Sequence, residues 1–177
     1  MNKLLPLLLC LLLLLLTACG KDPAPIGESG TSETDPPSSG TVGIANPWTE
    51  HDTLDLAEKV VGFTLSVPEE IAGYDAPIYR TLSGELLEIL YPAENGEIRI
   101  RKQAAIDTVG SDISGDYREY SEYSAIECGG ENASVTVSGN DGAASKAIWT
   151  VDGYAYSVTA DPGMDILAIA DLIAQVN

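Results

Sequence analysis

The chain has 177 residues, and its 27 aspartates and glutamates outnumber its 9 lysines and arginines, which gives a net charge of −18. This balance excludes electrostatic binding of nucleic acid, because no basic surface is left to neutralise phosphates. It also disfavours attraction to anionic lipid head groups.

The first eighteen residues have the pattern of an export signal. Lys3 supplies a positive charge, and the run from Leu4 to Leu16 is almost entirely leucine. The run is shorter than the roughly 20 residues a membrane-spanning helix needs. Residues 16–19, Leu-Thr-Ala-Cys, match the lipobox of bacterial lipoproteins, in which the cysteine thiol takes a diacylglyceryl group before cleavage. The sequence therefore predicts a cleaved signal at 1–18 and lipid attachment at Cys19.

Residues 19–46 are rich in Gly, Pro, Ser and Thr, and their apolar residues are isolated. Such a segment cannot bury enough surface to offset its ordering entropy, so we expect a disordered tether. Two or three acyl chains on Cys19 anchor stably. We therefore expect a single domain at 47–177, held to the outer face of the cytoplasmic membrane by lipid.

The first element of that domain is predicted to be a helix. Asp52 or Thr53 can cap its start, Leu54 and Ala57 recur on one face, and Gly62 stands where a left-handed cap belongs.

Strands follow, because apolar and polar residues alternate and turn residues separate the runs. The alternation indicates an antiparallel sheet of seven or eight strands with one solvated face. The clearest predicted strands are Phe63–Val67, Ile78–Leu82, Glu85–Tyr91, Glu97–Lys102, Ala133–Ser138, Lys146–Val151 and Tyr154–Ala160.

A closing helix is predicted to begin with Asp161 as its cap and Pro162 in its first turn. Its apolar stripe includes Ile166, Ile169 and Ile173. The simplest architecture is α+β, in which the N-terminal and C-terminal helices pack on the apolar face of the sheet.

The chain offers little catalytic chemistry. His51 is the single histidine, so we expect neither a catalytic nucleophile–histidine pair nor a zinc site. Cys10 leaves with the signal and Cys19 carries lipid, so Cys128 has no disulfide partner and is expected to be buried. We therefore expect no enzymatic activity, no cofactor and no dedicated metal site.

Residues 112–123 fail the test for a calcium loop. Tyr117 stands where the sixth position needs glycine, and Tyr123 stands where the twelfth needs a bidentate glutamate. Loose divalent binding in a solvated acidic loop stays open as an alternative.

The segment from Asp107 to Tyr123 is the predicted partner-facing region, because it is longer than a hairpin needs. A helical turn there would gather tyrosine rings beside carboxylates, which suits a cationic or peptide ligand. The alternative is that the rings fold back and cap an open end of the sheet. The candidate residues are Tyr117, Tyr120, Tyr123, Asp116 and Glu119.

Three stretches resemble a known family. They run from Trp48 to Phe63, from Asp112 to Tyr117 and from Ala147 to Val158. Together they are similar to the domain-of-unknown-function family 4367, found in bacterial lipoproteins and in extracytoplasmic parts of anti-sigma-factor-like proteins. The resemblance covers nearly all of 47–177. It implies an α+β extracytoplasmic module and supplies no catalytic residues, and the predicted lipid anchor sets this chain apart from the anti-sigma members.

The function expected from the sequence is a non-enzymatic, membrane-tethered binding or sensing module with an unknown protein or peptide partner. One alternative is a carrier whose sheet curves around a lipid or peptide. Another is a hydrolase that uses two carboxylates about 5–10 Å apart in a cleft.

Overall fold

A computed structural model describes residues 46–106, 112–128 and 133–177. They belong to one compact unit, Ile44–Asn177. Cys19, the predicted signal and residues 19–45 of the predicted tether lie outside the described residues, as do residues 107–111 of the predicted partner-facing segment and the side chain of Cys128. No helix in the described part of the chain is long and apolar enough to cross a membrane.

One eight-stranded sheet organises the described unit, and every neighbouring pair of strands is antiparallel. In chain order the elements are β1 (Trp48–His51), α1 (Leu54–Val61), β2 (Ile78–Leu82), β3 (Leu86–Ala93), β4 (Gly96–Ala104), β5 (Glu122–Cys128), β6 (Ala133–Asn140), β7 (Ala143–Val151), β8 (Tyr154–Met164) and α2 (Ile166–Ile173). In space the strands run β1-β2-β3-β4-β8-β7-β6-β5. The predicted α+β class and antiparallel sheet are therefore confirmed.

Helix α1 begins and ends where its cap residues predict. The Thr53 side chain accepts a hydrogen bond from the Leu56 amide, and Gly62 ends the helix in the left-handed conformation. Both caps are local signals, which is why the sequence alone predicts them.

The core lies on one face of the sheet. Ile89, Ile100 and Val158 occupy one cross-strand row and are fully buried. The same buried cluster contains Ala57 from α1 and Ile169 from α2.

The predicted strand at Phe63–Val67 is wrong, because this segment pairs with no strand. Its backbone groups bond instead to the side chains of Glu58 and Lys102 and to the backbone of Asn177. Leu65 N donates to Glu58 Oε1 at 2.7 Å, and Ser66 N donates to the carbonyl of Asn177 at 3.0 Å. The Thr64 carbonyl accepts from Lys102 Nζ at 2.7 Å, so a buried lysine takes the place of a strand neighbour.

The predicted start of the closing helix is also wrong. Asp161 and Pro162 belong to β8, because Asp161 pairs with Glu97 on β4 and holds the strand in the sheet. The true cap is Asp165, whose side chain accepts from the Leu167 amide at 2.8 Å.

The second face of the sheet is polar, but the prediction that it is solvated fails at its centre. Glu88, Arg101 and Ser157 share this face and are buried. Strand β1, which the sequence analysis missed, forms the edge beside β2.

Candidate functional site

A charged row crosses the polar face. The register places Arg80 on β2 opposite Glu88 on β3, and Glu88 opposite Arg101 on β4. Glu88 is fully buried and accepts from Arg80 Nε, and from Arg101 Nε at 2.6 Å. The alternation of β4, with Ile98 and Ile100 toward the core, turns Arg101 to this face, and the register places Glu88 beside it.

Trp48 covers this row. Its ring centroid lies 4.7 Å from Arg80 Cζ and 5.4 Å from Arg101 Cζ, so one indole contacts both guanidinium groups. Strand β1 therefore forms the edge of the sheet and also supplies a side chain that covers part of its polar face.

Residues 112–121, which we name the strap, lie against the polar face. Arg101 Nη1 donates to the carbonyl of Ile113 at 2.9 Å. Lys146 Nζ, on β7, donates to Asp112 Oδ2 at 2.9 Å and to the carbonyl of Asp116 at 3.3 Å. Cations that project from the sheet thus hold the first half of the strap.

The strap contains no helix, so the expected helical turn is wrong. Three successive side chains bond to the amide two residues ahead: Asp112 to Ser114 N, Ser114 to Asp116 N, and Asp116 to Arg118 N, at 2.9–3.1 Å. Such bonds compete with helical hydrogen bonding, and the spacing of Asp112, Ser114 and Asp116 by two residues was their signal.

Asp116 is the polar centre of the strap. Its carboxylate accepts from Arg118 Nε and Nη2, both at 3.0 Å, and from the Tyr120 hydroxyl. Burial alone would raise the pKa of Asp116, but the bonds from Arg118 and Tyr120 outweigh it and hold that pKa well below its usual range. Burial, together with the bond to Asp116, raises the pKa of Tyr120 to about 12.

A cavity of about 400 Å³, which we name the groove, lies where the strap meets β4 and β8. The register sets Glu97 and Asp161 directly opposite each other there. Glu97 bonds to Arg99, whereas Asp161 is 63% exposed and meets only Arg118, at 3.4 Å, among the described residues. The lining residues are Glu97, Arg99, Gly115, Asp116, Tyr117, Arg118, Thr159 and Asp161.

The five candidate residues predicted from sequence are only partly brought together. Asp116 and Tyr120 are joined by a hydrogen bond, and Tyr120 is 7% exposed. Tyr117 lines the groove and is 95% exposed. Tyr123 lies on β5 and is 67% exposed, and Glu119 is exposed on the strap. The tyrosines are therefore dispersed, and one of them is packed against the sheet.

Two of the three acidic residues of the strap bond to cationic side chains of the protein. Asp112 bonds to Lys146, and Asp116 bonds to Arg118. Among the described residues no group of three or more histidine, cysteine or acidic side chains could hold a metal ion.

Sequence reasoning missed most of the groove and the charged row, namely Trp48, Arg80, Glu88, Arg99, Arg101, Lys146 and Asp161. The available signal was the clustering of the few basic residues. Of the nine lysines and arginines in the chain, five lie on this face or on the strap. In so acidic a chain, clustered bases indicate a specific polar assembly.

Comparison with known proteins found no matching family model, no matching curated protein and no matching solved structure. The resemblance to family 4367 therefore remains a hypothesis that rests on the three stretches.

Proposed function

We propose that the protein is a lipid-anchored, extracytoplasmic binding or sensing module without catalytic activity, and that its ligand enters the groove. The proposal includes the layer arrangement in which α1 and α2 cover the apolar face of the sheet. That arrangement is supported by Ala57 and Ile169 in the core cluster, and it leaves the polar face for binding.

The observation that carries the proposal is the charge distribution of the groove. Three carboxylates line it against two guanidinium groups. The Arg99 guanidinium forms an ion pair with Glu97, and the Arg118 guanidinium pairs mainly with Asp116. The carboxylate of Asp161 is therefore the surplus negative charge of the groove. Like charges placed opposite each other on neighbouring strands, as Glu97 and Asp161 are, destabilise a sheet unless a cation lies near them.

The ligand that fits this groove best is an ammonium or guanidinium group carried by a peptide side chain. Asp161 supplies the carboxylate, and the exposed ring of Tyr117 supplies an aromatic face for a cation. The net charge of −18 attracts such a ligand over distance, with a dependence on ionic strength.

The hydrolase alternative has one supporting observation, which is that Glu97, Asp116 and Asp161 line the same cleft. A carboxylate pair needs one member with a raised pKa to serve as the general acid. The pKa of Asp116 is lowered, and its oxygens are engaged by Arg118 and Tyr120, so a binding role accounts better for this residue.

A matched set of capped tripeptides tests the proposal on the full chain. The central residue is lysine, norleucine or glutamate, and binding is followed by calorimetry and by amide chemical shifts. We expect the lysine peptide to bind weakly, with Kd on the order of 1 mM, and selectively.

Two variants locate the binding. Asp161→Asn should weaken binding of the lysine peptide at least about fivefold, because it removes the surplus charge. The control Asp171→Asn alters an exposed carboxylate on α2, outside the groove, and should leave binding unchanged. Equal affinity for the three peptides would refute the cation preference. Crosslinking in cells followed by pull-down then tests whether a protein or peptide is the natural partner.

A further inference from the structure

The strap and the helices meet the sheet through different kinds of contact. On the apolar face, residues such as Leu65, Ile89 and Ile169 form one buried hydrophobic cluster. The strap meets the polar face through hydrogen bonds and ion pairs, from Arg101 to Ile113 and from Lys146 to Asp112. Charged and polar contacts of this kind exchange readily for contacts with water, whereas apolar ones do not.

The strap also has few buried side chains of its own. Of its ten residues only Ser114 and Tyr120 are buried, and the ring of Tyr117 points away from the core. A segment with so little buried apolar surface has a small free energy of local opening compared with the core.

The sheet residues next to the strap contacts are polar or charged, so water can hydrate them when the strap opens. Glu88 and Arg101 are a buried ion pair, which stabilises a fold less than well-packed apolar residues of the same volume. Ser157 lies opposite Arg101 and is 1% exposed, and its Oγ has no hydrogen-bond partner among the described residues. A buried hydroxyl without a partner gains a hydrogen bond when water reaches it.

We infer that the strap is a detachable cover, latched to the sheet by Lys146, and that a ligand in the groove holds it shut. Lys146 suits the role because its Nζ contacts two points of the strap, Asp112 Oδ2 and the Asp116 carbonyl, and lies 5.6 Å from the ring centroid of Tyr120. The groove is lined by the sheet through Glu97 and Asp161 and by the strap through residues 115–118. A ligand that touches both walls therefore binds the closed state more tightly than the open one.

This inference has two parts. Ligand-dependent closure rests on the proposed function of the groove. Latching by Lys146 needs no ligand, so its test stands apart from that of the proposed function.

Trypsin reports strap opening directly, because Arg118 is the one basic residue in the strap. In the full chain, cleavage after Arg118 should be much faster than cleavage after Arg99 or Arg101, which lie within β4 and need global unfolding. When reclosing is fast, the cleavage rate follows the population of the open state. Equal rates at Arg118 and in β4 would overturn the detachable strap.

The Lys146→Met variant tests the latch. Losing a hydrogen bond between charged groups should raise the rate of cleavage after Arg118 about tenfold. The matched control Lys59→Met removes an exposed lysine on α1 and should leave that rate unchanged. An unchanged rate in Lys146→Met would overturn the latch.

Hydrogen exchange tests closure by ligand separately from latching by Lys146. A saturating lysine tripeptide should slow exchange of the strap amides at least fivefold and leave the amides of β6 unchanged. If the peptide binds in the groove and strap exchange does not slow, closure by ligand is wrong although binding stands. If the peptide does not bind while Lys146→Met still opens the strap, the proposed ligand is wrong and the latch stands.

Discussion

Gly115 lies so close to the guanidinium group of Arg101 that a Cβ at position 115 would come within 2.4 Å of Nη1. Its φ of +63° is also one that residues with side chains rarely adopt. Arg101 cannot move aside freely, because it also bonds to Glu88 and to the carbonyl of Ile113. The strap therefore fits the sheet only with glycine at this position.

The first prediction is that Gly115→Ala is more damaging than a glycine substitution with conformational strain alone. Gly142 has a φ of +76°, and apart from its own atoms and its two chain neighbours no atom lies within 4 Å of the place its Cβ would take, so Gly142→Ala should cost about 1–2 kcal/mol. Gly115→Ala should cost at least about 1 kcal/mol more, because strap contacts are also lost. Urea unfolding of both variants gives the comparison, and equal losses would contradict the close fit.

The second prediction concerns the buried carboxylate of Glu88. Glu88→Gln leaves Arg80 and Arg101 without a counter-charge in a buried setting, so the free energy of unfolding should fall by about 3–5 kcal/mol. The control Glu50→Gln changes an exposed residue in the same cross-strand row and should alter stability by less than about 0.5 kcal/mol. Chemical denaturation measures both. A loss below about 1 kcal/mol in Glu88→Gln would show that water already screens the pair.

These residues also show which parts of the fold are predictable from sequence. Helix α1 is predictable because Thr53 and Gly62 act on their own turns. The start of α2 is not, because Asp161 and Asp165 are both plausible caps. The choice is made by pairing with Glu97, which is distant in the chain.

In the candidate site, too, features set by neighbouring residues are predictable from sequence, whereas contacts between distant parts of the chain are not. The alternation in β4 predicts that Arg99 and Arg101 share a face, but the partner of each depends on the register with β3 and on the docking of the strap. The spacing of Tyr117, Tyr120 and Tyr123 suggests a helix, yet the bonds from Asp112 and Asp116 to nearby amides favour turns. Sequence thus indicates which segment carries the candidate site, but not the contacts that this segment makes.

The third prediction is a loss of stability in acid that depends on Asp116. Its pKa is lower in the folded protein than the ordinary 3.8, so the unfolded chain takes up this proton first as the pH falls. The stabilisation is present above about pH 4 and is lost below it. Denaturant midpoints measured between pH 6 and pH 2 should fall more steeply for the native chain than for Asp116→Asn. The control Asp171→Asn should follow the native curve, and parallel curves for all three would contradict the role of Asp116.

The fourth prediction places Trp149 in the core. Its side chain is 7% exposed, and its ring stacks on Tyr156 with centroids 5.1 Å apart. Trp149→Ala should therefore cost about 3–5 kcal/mol of unfolding free energy. Tyr117→Ala, which removes an exposed ring, should cost less than about 0.5 kcal/mol. A cost below about 1 kcal/mol for Trp149→Ala would place that residue at the surface.

The fifth prediction tests the membrane anchor. Cys19 follows the lipobox pattern, and its thiol is the acceptor that lipid transfer requires, so Cys19→Ser should abolish incorporation of labelled fatty acid and leave the signal at 1–18 uncleaved by the lipoprotein signal peptidase. Serine preserves the size of the side chain, so the comparison isolates the sulfur. Cys10→Ser and Cys128→Ser are matched controls, because each removes a thiol outside the lipobox and should still be labelled. Metabolic labelling followed by mass spectrometry of the N-terminal peptide measures both effects. Fatty acid on the N-terminal peptide of Cys19→Ser would show that this protein is not anchored through Cys19, and would contradict the lipid anchor that we propose.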